Sequence, residues 1–439
     1  MKISRYTFLF SNNDNELYLY NTLSNALIEI DISQKSLFES LIKKGQNIDK
    51  ETINDDEFYD LLLDKRFIVA NNSDEFLLYK SIISNYRNIN NLNITIAPTM
   101  DCNYSCHYCF EKNEKKYISS EVIDSIVQYI KFHNDVNVLD VTWFGGEPLM
   151  AIDKMKEFYQ KMKLNFNKEY KSNIITNGFF ITPKILKDLD SIGIQSIQIT
   201  LDGNKSTHNK IKFTQNCSDT FSKTIENIDL ISKITPNIHI SIRVNIDKKN
   251  STEYADLYGF ISERYKEKTN IGMSPAFVFD TSGLHDCDDC FSRKQSAKYV
   301  LDLYNTNNIH SHYIKYPEPY FHECSIRNKN VIAVDPEGFV YKCWEIIGKK
   351  EFAFAKLVNG KFEEMNFETY NRFMYGADPI DDEKCRQCSY LPICMGGCPF
   401  HRIENEFYGK SIDTCTYLKG FLPEFLNAHI ETKKQIKKQ

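Results

Sequence analysis

Three cysteines within eight residues constrain this chain more than any other feature of its sequence. They stand in the run Asp101-Cys102-Asn103-Tyr104-Ser105-Cys106-His107-Tyr108-Cys109-Phe110, which has a C-x3-C-x2-C spacing. Three thiolates on one short loop can hold three irons of a four-iron cluster and leave the fourth iron open. A zinc loop that lacks its fourth ligand is the alternative, because structural zinc sites are closed by four ligands. The array therefore predicts a metal site with an open position.

The remaining composition indicates a cytoplasmic protein with reduced thiols. The chain has 13 cysteines in 439 residues. The apolar run at residues 6–10 is too short for a secretory signal, and no run of about 18 apolar residues predicts a membrane span. Cytosolic thiols stay reduced, so the cysteines point to metal rather than to disulfides. The net charge of −5 offers no basic field for nucleic acid, so we expect neither nucleic acid nor a membrane as a partner.

Apolar patterning predicts a small α+β domain at residues 1–88. The evidence is a set of strand-like runs, two helical segments and a closing strand: 6–10, 17–20, 26–30, 36–44, 55–64 and 67–70. A polar stretch at 84–91 then predicts a linker.

Residues 92–280 change to alternating apolar runs and helical segments, which is typical of an α/β domain with a parallel, barrel-like sheet. Six strands are predicted, at 92–97, 138–143, 173–175, 196–201, 238–245 and 273–279. Between them lie helical segments such as 120–132 and 183–191, the second capped by Thr182. Ligands collect at the carboxyl ends of such strands, which is where the cysteine loop stands.

From about residue 281 the alternation stops. We expect a bridging region at 281–320, a cysteine-rich domain at 321–420 with a hairpin formed by 331–334 and 339–343, and a solvated tail at 421–439 that forms a frayed helix.

A second motif follows the second predicted strand, in the run Trp143-Phe144-Gly145-Gly146-Glu147-Pro148. Glycines let backbone approach a ligand closely. With the cysteine loop, whose Tyr108 supplies an aromatic residue before the third cysteine, this motif resembles the radical S-adenosylmethionine (SAM) enzymes. The resemblance implies a partial (β/α)6 barrel and a [4Fe–4S] cluster on the catalytic residues Cys102, Cys106 and Cys109. It also implies that SAM chelates the open iron while the GGEP segment binds its amino group.

Further polar residues follow the later strands, and the resemblance assigns them to the carboxylate and ribose of SAM. They are Thr176, Asn177, Thr200, Asp202 and Arg243. A turn at Thr176 and Asn177, and a helix N-cap at Asp202, are the structural alternatives.

Seven more cysteines follow in the C-terminal part: Cys324, Cys343, Cys385, Cys388, Cys394, Cys398 and Cys415. In isolation, a C-x2-C-x5-C-x3-C ribbon could hold zinc. After a barrel of this kind, the order resembles the SPASM extension of radical SAM enzymes, which binds two auxiliary [4Fe–4S] clusters and brings the total to three. The resemblance implies an outer cluster on Cys385, Cys388, Cys394 and Cys415, and an inner cluster on Cys324, Cys343 and Cys398.

The inner cluster lacks one protein ligand in this pattern. Cys287 or Cys290 could supply it, or these two could be free loop thiols in an acidic turn. A thiolate of the substrate is the other possible ligand.

The residue after Cys343 also departs from the family. Sulfatase-maturing relatives have an aspartate there that accepts a proton, and this chain has Trp344. Asp335 and Glu345 stand nearby, and we interpret them as a turn residue and a surface carboxylate.

The resemblance favours a peptide maturase that cleaves SAM to a 5'-deoxyadenosyl radical and oxidatively modifies a ribosomally made precursor, forming thioether or carbon–carbon cross-links. Residues 1–88 are similar to the small winged-helix-like domain that grips a leader peptide in such enzymes. A flavodoxin or ferredoxin is the implied electron donor. The alternatives are a formylglycine-type sulfatase maturase and a non-catalytic iron–sulfur protein that transfers electrons or binds a leader.

Overall fold

The computed structural model describes residues 1–45, 47–133, 135–214, 216–278, 288–307, 309, 316–321 and 324–438. Within them the chain forms two compact units. The first unit comprises residues 1–88, 293–324 and 376–439, and the second comprises 89–292 and 325–375. These borders do not follow the predicted domains, since the cysteine-rich region is divided between both units.

The N-terminal part of the first unit has two small antiparallel sheets. Its strands are β1 (Lys2–Ile3), β2 (Thr7–Ser11), β3 (Leu17–Asn21), β4 (Leu27–Ile30) and β5 (Ile68–Val69). Its helices are α1 (Lys35–Lys44), α2 (Lys50–Ile53), α3 (Asp56–Asp64) and α4 (Glu75–Arg87). The order β2-β3-β4 forms a meander, and β1 pairs with β5. Leu19, Phe38 and Leu62 are fully buried between the meander and the helices, as expected for apolar faces that need a shared core.

The predicted linker at 84–91 is wrong in its first half. Helix α4 continues to Arg87, because Asp74 caps its N-terminus and Tyr79 and Ile83 form one buried stripe. Tyr79 and Ile83 pack with Ile380, Leu391 and Met395, so this helix shares a core with the cysteine-rich part of the same unit.

The second unit is built on six parallel strands, as predicted. They are β6 (Asn91–Ile96), β7 (Val138–Trp143), β8 (Glu169–Thr176), β9 (Ser196–Leu201), β10 (His239–Ile246) and β11 (Ile271–Phe277). The helices between them are α5 (Ser120–Phe132), α6 (Ile152–Lys163), α7 (Pro183–Ser191), α8 (Lys205–Ile211), α9 (Thr220–Ile234) and α10 (Tyr254–Arg264). Inward residues alternate along each strand, and Leu139, Val141 and Trp143 of β7 are at most 1 % exposed, so the sheet is covered on its helix-bearing face.

The remaining elements complete both units. They are α11 (Arg293–Asn305), β12 (Val331–Val334), β13 (Phe339–Tyr341), β14 (Ala355–Val358), β15 (Lys361–Glu363), α12 (Phe367–Met374), α13 (Glu383–Arg386), α14 (Leu391–Cys394), α15 (Pro399–Phe407) and α16 (Leu422–Lys438). The predicted hairpin is present as β12 and β13. In addition β12 pairs in parallel with β6, so the sheet has ten strands in the order β11-β10-β9-β8-β7-β6-β12-β13-β14-β15.

The predicted solvated tail is wrong. Residues 422–438 form helix α16, and Leu422, Phe425 and Leu426 are at most 1 % exposed. Tyr304 of α11 is hydrogen-bonded to Thr432, with 2.8 Å between the two oxygens. The apolar stripe at the start of this segment outweighs its lysine-rich end, because burial of one face stabilises a helix whose other face is charged.

Candidate active site

A cavity of about 210 Å³ lies where the parallel strands of the second unit end. It is lined by predicted site residues from five segments: Cys102, Cys106, Tyr108, Cys109, Gly145, Gly146, Thr176, Asn177, Thr200 and Arg243. Glu147, Pro148 and Asp202 were also predicted, but they do not line it. The carboxyl ends of parallel strands meet at one edge of a sheet, which explains why residues far apart in sequence come together here.

The three cysteines of the loop share this cavity in a largely apolar setting. Burial raises the pKa of the Cys102 thiol to about 12 and that of Cys109 to about 11, and it also raises that of Cys106. The neighbouring thiols add to the rise at Cys102. Because negative charge is disfavoured among these groups, the loop suits a cation or a positively charged cluster core that takes up the thiolate charge.

Two glycines hold the GGEP segment against the residues that precede the loop. A Cβ at Gly146 would stand 2.2 Å from the carbonyl oxygen of Asp101, and one at Gly145, where φ is +111°, would stand 2.5 Å from that of Thr99. The Gly146 amide donates to the Thr99 carbonyl across 3.1 Å, and the Glu147 amide donates to the Asp101 carbonyl across 2.8 Å. Only glycine permits this approach, so the two motifs found in the sequence are one packed structure.

The carboxylate of Glu147 is fully buried and ties the ends of β7 and β8 together. It accepts hydrogen bonds from the Leu149 amide at 3.0 Å, the Thr176 hydroxyl at 2.6 Å and the Asn177 amide at 2.8 Å. Burial raises the pKa of Glu147, and these donors oppose the rise. The side chain therefore organises the loop, while the adjacent glycine backbone faces the cavity.

Thr176 and Asn177 lie at a turn and also line the cavity, so their contact with SAM stays a prediction. Thr176 donates to Glu147, and the Asn177 side-chain amide donates to the Asn103 side chain at 2.8 Å. The positive φ of this turn falls on Gly178, at +76°, so Asn177 is not left-handed. Both residues nevertheless line the cavity.

Asp202 is neither an N-cap nor a cavity residue. Asn204 caps α8, whereas Asp202 is completely buried and forms an ion pair with Lys212 at 3.2 Å. The Tyr108 hydroxyl donates to the same carboxylate. The Asp202 amide donates to Nδ1 of His208 at 3.2 Å. This network fixes the aromatic residue of the cysteine loop through its hydroxyl.

Lys212 is the functional candidate that the sequence did not reveal. It is 3 % exposed and lines the cavity. Burial alone would lower its pKa, but Asp202 and the thiols of Cys106 and Cys102 outweigh this effect and raise it. A cation held beside two cluster thiols offsets part of their negative charge. A polar residue ten positions after its partner has no periodic signal, so no local pattern could have found it.

Arg243 and Glu345 also face this cavity. The Arg243 Nε donates to the Asn245 side chain at 3.0 Å. Burial raises the pKa of Glu345, and attraction to Arg243 opposes the rise. The interpretation of Glu345 as a surface carboxylate is therefore wrong, while Asp335 is a turn residue as expected, since its side chain accepts from the Glu337 amide at 2.9 Å.

Aromatic residues form another part of the cavity lining. Phe110, Phe144 and Trp344 contact one another, with ring centroids 5.1 to 6.2 Å apart. Glu111 lies beside them, and burial raises its pKa to about 8. In the sequence, Trp344 was notable only because it replaces an aspartate. No sequence pattern indicated that Phe110 and Phe144 would contact it.

The four cysteines of the predicted outer set all lie in the first unit. The Arg402 guanidinium is 3.6 Å from the Cys385 sulfur, the Thr416 amide is 3.4 Å from that of Cys394, and the Lys419 ammonium is 3.8 Å from that of Cys415. The charges of Cys388, Cys394 and Cys415 all act on Lys419. A Cβ at Gly397 would stand 1.7 Å from the Thr414 carbonyl oxygen, so a glycine there lets the Cys394 and Cys415 segments meet.

The predicted inner set is divided between the units. Cys324 and Cys398 belong to the first unit, and Cys343 follows β13 in the second. Cys287 lies outside the described residues. Cys290 is disulfide-bonded in this structure, so the predictions of a free thiol or a cluster ligand at Cys290 are wrong. The ligand set of the inner cluster therefore stays a prediction.

Comparison with known proteins finds one family model that matches part of the second unit. Residues 96–261 match the model of the radical SAM superfamily. The chain contains a radical SAM domain. Members of this superfamily are enzymes that use a [4Fe–4S] cluster and SAM. The cavity fits both groups, because three thiols line it beside two glycines and because Thr200 and Arg243 provide a hydroxyl and a cation.

Similar proteins extend the match to most of the chain. The radical SAM cyclopropyl synthase TigE of Paramaledivibacter caminithermalis is 22% identical, over 90% of this chain and 89% of its own. A cysteine-type anaerobic sulfatase-maturating enzyme of Clostridium novyi is 23% identical, over 74% of this chain and 97% of its own. The crystal structure of Streptococcus suis SuiB bound to precursor peptide SuiA has a TM-score of 0.50 and 16% identity, and covers 90% of this chain and 95% of that one. These similarities extend beyond the radical SAM domain to proteins that are named for a cyclopropyl synthase, a sulfatase-maturating enzyme and a complex with a precursor peptide.

No helix in the described part of the chain is long and apolar enough to cross a membrane.

Proposed function

We propose that this chain is a maturase of a ribosomally made precursor peptide, which it oxidises by forming a thioether or carbon–carbon bond. The observation that carries the proposal is the cavity itself, in which three thiols, the GGEP backbone and an aromatic wall meet at the strand ends. The names of similar proteins support it, since SuiB is bound to a precursor peptide and TigE is called a cyclopropyl synthase.

Each part of the cavity has a separate task. Cys102, Cys106 and Cys109 would hold the cluster, and the backbone of Gly145 and Gly146 would receive the amino group of SAM. When bound, these groups supply a 5'-deoxyadenosyl radical that takes one hydrogen atom from the substrate. Four further residues would bind the carboxylate and ribose of SAM: Thr176, Asn177, Thr200 and Arg243.

The remaining residues keep this arrangement fixed. The buried carboxylate of Glu147 accepts hydrogen bonds from Leu149, Thr176 and Asn177. These bonds hold the ends of β7 and β8 in register. Lys212 and Asp202 neutralise each other beneath the cysteine loop. The aromatic residues that line the cavity would keep water away from the radical. This matters because a reactive radical would otherwise take hydrogen from other donors.

The net reaction is balanced without an added oxidant. The peptide loses two hydrogens, one as an atom that ends in 5'-deoxyadenosine and one as a proton released from the second bonding partner. The peptide also gives up one electron, which equals the one electron consumed when SAM is cleaved to methionine. An auxiliary cluster is a suitable acceptor for that electron.

Auxiliary clusters are the second part of the proposal. The outer set of Cys385, Cys388, Cys394 and Cys415 would hold one [4Fe–4S] cluster, with Arg402 and Lys419 beside its sulfurs. The inner set of Cys324, Cys343 and Cys398 would hold another. Its fourth ligand would be a thiolate of the substrate, which would place the nucleophile for a thioether. A flavodoxin or ferredoxin would supply electrons, as expected for a cytoplasmic enzyme.

The meander of residues 1–88 is the proposed leader-binding site. Its outer strands β2 and β4 each have one edge without a partner strand among the described residues. An extended peptide can add to such an edge through main-chain hydrogen bonds.

A formylglycine-type sulfatase maturase is the competing function, and the Clostridium novyi relative makes it worth testing. Trp344 argues against it, because an indole cannot accept the proton that an aspartate accepts in that reaction. A non-catalytic iron–sulfur protein is the remaining alternative, and it would form no 5'-deoxyadenosine.

The test is anaerobic co-expression of this chain with a small peptide encoded beside its gene, followed by mass spectrometry and fragmentation of the peptide. We expect a loss of two hydrogens per modified site with the wild type and no change with Cys102→Ala. An unchanged peptide together with oxidation of a sulfatase-derived peptide would favour the competing function instead.

A further inference from the structure

The aromatic part of the cavity is a second binding region, distinct from the residues assigned to the cluster and SAM. Its three rings come from separate segments: Phe110 follows the cysteine loop, Phe144 ends β7, and Trp344 follows β13. Trp344 packs edge-on against Phe144 at 5.1 Å and against Phe110 at 5.9 Å, and Phe110 and Phe144 are stacked at 6.2 Å. We call Phe110, Phe144 and Trp344 the aromatic wall.

The wall is rigid but not fully covered. Phe144 is 8 % exposed, whereas Phe110 and Trp344 are half-buried and line the cavity. Mutual ring contacts fix the three side chains, because edge-to-face packing has a preferred geometry. Their open faces border the cavity, so a bound apolar group would remove apolar surface from water.

Strand order separates this wall from most of the residues assigned to SAM. Thr176, Thr200 and Arg243 lie in β8, β9 and β10, and these three strands are on one side of β7. Trp344 follows β13, which lies beyond β6 and β12 on the other side. The cavity thus has a polar side with hydroxyls and cations, and an aromatic side.

We propose that the aromatic wall binds an uncharged, apolar side chain of the peptide and so selects the residue that is modified. The inference rests on the proposed function for the identity of the occupant as a peptide residue. The charged residues that line the same cavity, Lys212, Arg243, Glu111 and Glu345, carry both signs of charge, so they give a cationic side chain no net advantage over an uncharged one at the wall. A carboxylate has no hydrogen-bond donor among the three rings except the Trp344 indole N–H.

The experiment measures binding of three capped tripeptides to the holoenzyme with SAM, without reductant, by ligand-observed saturation-transfer NMR. The probes are acetyl-Gly-Leu-Gly-amide and its counterparts with Lys and Asp in the central position. Variants Trp344→Asp and Trp344→Phe change the wall. Phe367→Asp is the matched control, because Phe367 is an aromatic residue of the same unit that is 64 % exposed at the start of α12.

We expect the Leu peptide to bind more tightly than the other two, and to lose about fivefold in affinity with Trp344→Asp, the size of one aromatic contact. Trp344→Phe should retain most of the binding, and Phe367→Asp all of it. Iron content of each variant, measured in parallel, shows that the wall has changed rather than the fold.

Three results would overturn the inference: equal binding of the Lys or Asp peptide, unchanged binding of the Leu peptide with Trp344→Asp, or an equal fall in the affinity for SAM, which would assign the wall to adenine. Failure of the proposed function gives a different result. In that case no co-expressed peptide changes mass, while the preference for the Leu probe and its dependence on Trp344 remain.

Discussion

The barrel cysteines and the predicted outer cysteines each lie within one unit, and in both places cations lie beside the thiols. The surroundings of those cations differ. In the barrel cavity, the cation beside the thiols is Lys212, which is buried and held by a buried carboxylate. In the outer set of the first unit, the cations are Arg402, which is half-buried, and Lys419, which is exposed. The comparison teaches that the barrel site is preorganised in a dry interior, whereas the outer site is stabilised at the surface, where water screens charge.

The strongest test of this contrast is Lys212→Met. Removing the ammonium leaves the buried Asp202 carboxylate with one fewer partner, and breaking a buried pair costs about 3–5 kcal/mol. We expect a clear fall in the midpoint of thermal unfolding, measured calorimetrically on the anaerobic protein. The double variant Lys212→Met/Asp202→Asn should recover part of the loss, since it removes the unpaired charge as well. An unchanged midpoint in the single variant would mean that the pair is not a buried structural element.

The next test compares two carboxylates that accept backbone hydrogen bonds. Glu147 is buried and receives three donors, so Glu147→Gln turns one acceptor into a donor that faces another donor. We expect a cost of about 1.5–3 kcal/mol in stability and a weaker affinity for SAM in equilibrium dialysis. Asp382 caps α13 and pairs with Arg402 at 2.9 Å in the outer region.

Asp382→Asn is the matched variant. It keeps one oxygen for the cap in a more exposed position, so its effect on stability should be smaller and the affinity for SAM should not change. A larger effect at Asp382 than at Glu147 would reverse the proposed difference between the two regions.

Arg402→Leu should have an intermediate effect. The guanidinium donates to the Ala377 carbonyl at 2.7 Å and lies 3.6 Å from the Cys385 sulfur. Its loss should reduce stability by about 1–3 kcal/mol, as for a charged hydrogen bond, and should shift the electronic spectrum of one cluster. Arg402→Lys restores the charge without the planar fork, so a full rescue by lysine would show that charge alone matters.

The smallest effect is expected for Lys419→Ala. The ammonium is exposed and 3.8 Å from the Cys415 sulfur, and exposed ion pairs contribute less than about 1 kcal/mol. Thermal unfolding in low and high salt should show a difference from the wild type only in low salt. A loss of stability as large as that of Lys212→Met would contradict the expected difference between buried and exposed cations.

The parts of the fold that local sequence can determine were predicted well. Strands β7 and β9 and helices α5 and α7 begin and end where apolar periodicity and the predicted N-cap Thr182 place them. The predicted cavity residues were assigned by the resemblance to radical SAM enzymes, and they lie at the carboxyl ends of the parallel strands, where ligands bind. The pairing of β12 with β6 could not be predicted, because it joins Val331 to Asn93 and no local pattern records a contact over that distance.

The same limit applies to the site. Lys212 is recognisable only once the end of α8 brings it beside Asp202, since a lysine suits a solvated surface equally well. The tail was predicted to be a helix, but its burial was missed for a different reason. Its charged end dominated the composition, although Leu422, Phe425 and Leu426 already formed an apolar stripe.

The most direct measurement is a side-by-side determination of iron and of 5'-deoxyadenosine formed from SAM after anaerobic reduction. It compares the wild type with a barrel variant, in which Cys102, Cys106 and Cys109 are alanine, and an outer variant, in which Cys385, Cys388, Cys394 and Cys415 are alanine. Each variant should lose about four irons per chain. We predict that the barrel variant forms no 5'-deoxyadenosine and that the outer variant still forms it. Cleavage of SAM by the barrel variant, or none by the iron-replete wild type, would contradict the assignment of radical chemistry to the barrel cavity.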